Sequence, residues 1–177
     1  MSPHIVVSDY SSPFGELILG SYDNQLCLCD WRYRKQREAI DRRIMDYLGT
    51  GFAEGNSGLL HKAKQQLEEY FRGERKEFDL PLLLAGSDFQ RQVWKALLEI
   101  PYGKTGTYSG LTEKLGDPLA IRAVAAANGA NALAIFVPCH RILGSDGSLT
   151  GYAGGVKVKK RLLQLEKALP QMEIDFD

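Results

Sequence analysis

A cysteine, a histidine and an arginine follow a proline at Pro138-Cys139-His140-Arg141, and the apolar run Ala132 to Val137 leads directly into them. A strand or extended run that ends in proline delivers a thiol at a fixed edge. The thiolate is the nucleophilic form, and an ordinary thiol, with a pKa of about 8.5, is mostly protonated at neutral pH. His140 can take that proton, and Arg141 adds positive potential. The alternative for any single cysteine is a buried place in a strand. Metal binding fits poorly, because adjacent Cys and His rarely reach one ion and no companion ligands lie at zinc spacing.

Three further features bear on that thiol. A helix expected over about 156–168 puts Glu166 four positions after Leu162 and three after Leu163. Its carboxylate therefore falls on the apolar stripe, where it needs a partner; His140 or Arg141 can be that partner, and a rim carboxylate is the alternative. Gly151-Tyr152-Ala153-Gly154-Gly155 is a glycine-rich loop suited to backbone contact with a flat ligand. The segment Leu119 to Ala127 carries one charge, Arg122, among small residues. Either that helix packs closely on a neighbour, or its backbone approaches a nucleic-acid groove with one arginine to insert.

The elements that must position these groups are legible from patterning. Residues 4–8 and 14–22 are expected as strands, Asp23-Asn24 as a turn, and Gln25 to Trp31 as the returning strand. Residues 32–46 suit a surface helix or irregular segment, and Gly49 to Gly55 a loop. Ser57 to Arg72 is an amphipathic helix with Ser57 as cap and Gly73 as stop. Ser87-Asp88-Phe89-Gln90 is a capping box opening a helix with Phe89, Val93, Trp94, Leu97 and Leu98 on its apolar face. Thr107 or Ser109 caps a short helix with Leu111 and Leu115, Gly116 turns the chain, and Asp117-Pro118 starts a helix running to about Asn128-Gly129. Two short helices across a glycine turn form a helix-turn-helix pattern.

The chain has 177 residues, 44% of them hydrophobic and 25% charged, which favours a folded globular protein over disorder. No apolar run reaches the ~18 residues of a membrane helix, and no basic, apolar leader opens the chain, so an intracellular, cytoplasmic protein is expected. Net charge is zero. Residues 87–169, however, carry eleven Lys and Arg against six Asp and Glu, so one part can present a basic face to a polyanion. Three cysteines cannot all pair, which fits a reducing compartment.

Pro138-Cys139-His140-Arg141 with Ile135-Phe136-Val137 before it and Gly151 to Gly155 after it resembles the methylated-DNA–protein cysteine methyltransferases, the O6-alkylguanine-DNA alkyltransferases. The resemblance spans about residues 86–168 and takes in Ser87-Asp88-Phe89, Val93-Trp94, Ile100 to Gly103 and Tyr108. It implies an α+β chain. A small N-terminal α/β domain, RNase H-like with an antiparallel sheet, covers 1–85; a mostly helical, winged helix-turn-helix-like domain covers 86–170; 171–177 is a tail.

The resemblance also implies roles. Cys139 accepts the alkyl group, His140 acts as its base through a water, and Glu166 holds His140. Asn131 braces the cysteine turn, and Tyr108 donates to the guanine ring so that the base leaves neutral. Arg122 fills the gap left by a flipped base, while Ala123, Ala126 and Ala127 allow close approach in the minor groove. Arg141, Ile142, Tyr152, Ala153 and Gly154 complete the base and DNA contacts. Double-stranded DNA is the implied partner of a monomer, with no cofactor and no metal.

Ala132 and Ala134 stand where members often have proline, and Ala153 where some have serine. Some members hold zinc in the N-terminal domain; Cys27 and Cys29 share a strand face, with His4 and His61 as the remaining candidate ligands and a core position as the alternative. A non-catalytic module that binds alkylated bases, a Cys-His hydrolase and a helix-turn-helix regulator are the rival functions.

Overall fold

A computed structural model of the chain describes residues 3–169, so the expected tail lies outside it. The chain divides into two compact units at Ser87/Asp88.

The first unit is built on a four-stranded sheet in the order β3-β2-β1-β4. Strands β1 (Ile5–Ser12), β2 (Gly15–Tyr22) and β3 (Gln25–Trp31) form an antiparallel meander. Asp23 and Asn24, with φ of 52° and 59°, make the tight turn that matches strand twist between β2 and β3. Helix α1 (Arg37–Leu48) buries Ile40 and Ile44, and Gly49 closes it in a left-handed conformation. Where a loop was expected, Phe52–Glu54 forms β4, parallel to β1, so the sheet is mixed. Ser57 Oγ accepts from Leu60 N and starts α2 (Gly58–Phe71), which packs Leu59, Leu60, Ala63, Leu67 and Tyr70 on the sheet side.

Cys27 and Cys29 are both buried in this core. Burial pushes the Cys27 thiol up to about 12 and the Cys29 thiol well above its ordinary value. His4 and His61 are exposed, and no group of three or more His, Cys, Asp or Glu side chains is placed to hold a metal among the described residues. Asp30 is buried against Arg34 at 2.9 Å and Arg37 at 3.2 Å, so part of the segment expected at the surface is core.

The second unit is helical. In α3 (Asp88–Leu97), Val93, Trp94, Ala96 and Leu97 are buried, whereas Leu98, expected on that face, lies past the helix end and is exposed. Thr107 Oγ1 accepts from Gly110 N and caps α4 (Tyr108–Lys114). Gly116, at φ 87°, reverses the chain. Asp117 then caps a 3-10 turn, Pro118–Ala120, that runs into α5 (Ile121–Gly129). Trp94 Nε1 donates to the Ala127 carbonyl at 2.9 Å and ties α3 to α5. Two-residue strands β5 (Gly106–Thr107) and β6 (Ile142–Leu143) pair in parallel, setting Tyr108 beside the cysteine turn. Helix α6 (Val156–Leu165) packs on that turn.

Candidate active site

The residues before Cys139 are not a strand. They form a buried turn closed by Val137 N to Leu133 O at 2.8 Å, in which Ile135 takes φ 75°. A β-branched residue in that region is strained and persists only where its surroundings over-determine it. Asn131 supplies the constraint. Its Oδ1 accepts from Leu133 N at 3.0 Å, and its Nδ2 donates to the Val137 carbonyl at 2.9 Å and to Cys139 Sγ at 3.2 Å. Cys139, His140 and Arg141 then make a single 3-10 turn. Cys139 is 5% exposed and forms no disulfide.

That turn faces Glu166, the C-cap of α6. His140 Nε2 lies 2.8 Å from Glu166 Oε2, and Arg141 reaches the same carboxylate through Nε at 2.8 Å and Nη2 at 3.1 Å. Arg141 Nη1 donates to the Ile100 carbonyl, and its guanidinium lies over the Tyr102 ring at 5.9 Å. Tyr102 Oη in turn donates to Leu165 O, which gives the Ile100–Gly103 motif its use: it holds Arg141 and the end of α6.

Charge on this cluster is fixed by competition. Burial opposes ionisation of Glu166, but the hydrogen bonds of His140 and Arg141 and the positive charge of Arg141 outweigh it and hold the carboxyl low, at about 2. Burial lowers His140, with Arg141 and Lys159 acting the same way against Glu166, so the imidazole rests neutral. An ionised Glu166 requires the proton on Nε2. Nδ1 is then the basic nitrogen, and it is buried without a protein hydrogen-bond partner.

Tyr108 is half-buried at the start of α4. Asn128 Nδ2 donates to its hydroxyl at 3.3 Å, and the Thr150 side chain bonds the same hydroxyl. Burial, with a further push from Cys139, raises Tyr108 and keeps it a phenol.

Several expected contacts shift. Arg141 was expected at DNA; it is buried, with its fork spent on Glu166 and Ile100. The amide of Ile142 is spent on Cys139 O, and that of Cys139 on Val137 O, so neither N–H is open to a base. Ala127 is 3% exposed and faces Trp94, while Arg122, Ala123 and Ala126 are exposed. Tyr152 and Ala153 are half-buried, and Gly154 is buried. Sequence reasoning missed Asn128, Thr150 and Lys159. Lys159 was within reach, because it sits on the stripe of Leu162, Leu163 and Glu166 that singled out the carboxylate.

Comparison with known proteins accounts for both units. The model of the 6-O-methylguanine DNA methyltransferase DNA-binding domain matches residues 88–168, and that of the same family's ribonuclease-like domain matches residues 5–84. A methylated-DNA–protein-cysteine methyltransferase of Methanosarcina barkeri is 44% identical over 88% of this chain and 93% of its own length. The constitutive methylated-DNA–protein-cysteine methyltransferase of Bacillus subtilis is 52% identical over 88% and 92%. The crystal structure of Mycobacterium tuberculosis OGT in complex with DNA is 41% identical and superposes with a TM-score of 0.80, covering 93% of this chain and 94% of that one. With both units matched in order over nearly the whole described chain, it belongs to the 6-O-methylguanine DNA methyltransferase family.

Proposed function

We propose that this chain repairs DNA by direct reversal, moving a methyl or other alkyl group from O6 of guanine onto Cys139 in a single turnover. One observation carries the assignment of the acceptor: Glu166 and His140 form a buried pair behind Cys139, leaving His140 Nδ1 as the basic nitrogen. The Cys139 proton passes through a water to Nδ1, and the Glu166 carboxylate stabilises the imidazolium that results. The thiolate sulfur attacks the alkyl carbon, the carbon–O6 bond breaks, and its electron pair leaves with the base. Tyr108, held as a phenol, donates its proton to the ring nitrogen, so guanine departs neutral. The proton on His140 restores the phenol through solvent, and Cys139 ends as a thioether.

The alkylated oxygen is unreachable inside the stack, so the base flips. Arg122 stands in its place, and the exposed faces of Ala123 and Ala126 let α5 lie close in the minor groove. Tyr152, Ala153 and the Cys139 carbonyl line the flipped base. All reacting groups come from one unit of one chain, so a monomer suffices, and the substrate places it in a compartment with access to DNA. No described helix is long and apolar enough to cross a membrane.

A non-catalytic module that only binds alkylated bases leaves the buried relay without a use. The deciding experiment is intact mass after incubation with a duplex carrying O6-methylguanine. One added methyl group, absent in Cys139→Ala, is expected; no adduct, or turnover without one, overturns the reading.

A further inference from the structure

Leu119 is the most exposed large apolar side chain among the described residues, at 93%, so nothing in the fold rests on it. A single exposed leucine is ordinary on a protein surface. Three relations set this one apart.

Its backbone is fixed. Asp117 Oδ1 accepts from Leu119 N at 3.1 Å, and Pro118 opens the 3-10 turn Pro118–Ala120, so the side chain stands on a rigid base. Ile121, in helical geometry, ends that turn and opens α5.

Its place on the helix surface is the second relation. Leu119, Arg122, Ala123 and Ala126 fall at i, i+3, i+4 and i+7, and all four are exposed. Val124, Ala127 and Asn128, on the other side of α5, are buried, and the Ala127 carbonyl is held by Trp94 of α3. Leu119 therefore ends the stripe whose middle is Arg122 and two alanines.

The third relation is chemical. Arg122 is the only charge between Pro118 and Gly129. A face built to grip phosphates would carry several lysines or arginines; this one is small, apolar and singly charged. The minor groove offers a matching surface, because its walls are deoxyribose rings with apolar carbon faces. A helix with only methyl groups along its middle comes close enough for a longer side chain at its end to reach a wall.

We propose that Leu119 is a DNA-contacting residue that packs on the deoxyribose wall of the minor groove, one turn from the step that Arg122 fills. The inference rests on α5 lying in that groove. The contact touches no phosphate, so it contributes affinity that salt does not screen, and it acts on duplex before any base is displaced.

The test is equilibrium binding of the full chain to a short unmodified DNA duplex, read by fluorescence anisotropy across a salt series. Leu119→Ala is expected to bind about tenfold more weakly at every salt concentration. The slope of log affinity against log salt is expected to stay unchanged, because no counterion-releasing contact is lost. Leu119→Met keeps the apolar bulk and is expected to stay within about threefold of wild type. Wild-type affinity in Leu119→Ala overturns the proposal. So does a loss that comes with a shallower slope, or a Leu119→Met as weak as Leu119→Ala. Self-association of the free protein that depends on Leu119, read by sedimentation, makes the patch an interface between copies and also overturns it.

Reaction of Leu119→Ala with free O6-benzylguanine is expected within about twofold of wild type, since that compound brings no groove. A loss equal to that in duplex binding places Leu119 at the pocket and overturns the groove contact. Methyl transfer from O6-methylguanine duplex by the wild-type protein is scored separately. Transfer, with duplex binding indifferent to Leu119, overturns this inference alone. No transfer, with binding that depends on Leu119, overturns the repair function and leaves the groove contact standing.

Discussion

His140 and Glu166, twenty-six positions apart in the chain, meet through Nε2 and Oε2 at 2.8 Å with both side chains fully withdrawn from water. The carboxylate also takes two donors from Arg141. One group therefore sets the histidine tautomer and neutralises a buried guanidinium.

Replacing Glu166 by glutamine separates these duties from mere bulk. The amide can no longer compensate Arg141, and breaking a buried pair from one side costs about 3–5 kcal/mol. Its dipole can also be met by the wrong tautomer of His140, and general-base help of this kind is worth roughly 10²–10⁴ in rate. Glu166→Gln is expected to lower the urea midpoint and to slow single-turnover methyl transfer at least 100-fold. Normal speed in a folded variant would remove His140 from the role of base.

Acid stability follows from the same pair. Glu166 is held at about 2 against an ordinary 4.5, so the stability from its ionisation is present above about pH 4.5 and lost as pH falls towards 2. His140 is lowered by burial; the unfolded chain takes up that proton first, and stability falls as pH drops below about 6.5. Both contributions have the same sign. The urea midpoint is expected to decline from mildly acidic pH downward, and Glu166→Gln is expected to flatten the section below pH 4.5. Parallel curves for the two proteins would contradict the assignment.

How much of this was legible in the sequence depends on whether the signal was local. Thr107, Gly116 and Asp117 cap or turn the helices they adjoin, and Asp23-Asn24 makes its hairpin, because each acts within about three residues. Strand β4 was hidden: Phe52-Ala53-Glu54 has no alternation and becomes a strand only because β1 lies beside it. Ala132 to Val137 announced burial but not shape, since an apolar run is equally at home in a strand and in a buried turn. The shape came from the Asn131 side chain bonding backbone on both sides of the turn. Arg141 carried two readings, as a partner of Glu166 and as a contact to DNA; its pairing with Glu166 followed from the carboxylate on the apolar stripe, whereas only tertiary contacts show that its remaining donor is spent on Ile100.

Tyr108 offers a test of the leaving-group step. Asn128 and Thr150 hold its hydroxyl, and burial keeps the phenol protonated. Tyr108→Phe removes the donor while retaining the ring, and a rate loss of about 100-fold with O6-methylguanine duplex is expected. Asn128→Ala removes one neutral contact and is expected to cost about tenfold or less. Cys139 reactivity toward iodoacetamide should survive in both, because that reagent needs no proton from Tyr108. Loss of iodoacetamide reactivity would show that these residues maintain the thiol instead.

Arg122 is the sharpest test of how DNA is held. Its side chain is exposed in the first turn of α5, beside the exposed Ala123, and Leu119 next to it is 93% exposed. Nothing in the fold rests on it, so Arg122→Ala should melt like the wild-type protein. Filling the gap in a duplex offsets part of an unstacking cost of a few kcal/mol. If half of that is lost, repair of O6-methylguanine in duplex DNA falls about 10-fold or more. Free O6-benzylguanine has no stack to leave, so its reaction with Cys139 should change less than about twofold. Comparing the two rates in one variant isolates the duplex step, and equal losses would place Arg122 in the chemistry of the site rather than in the groove.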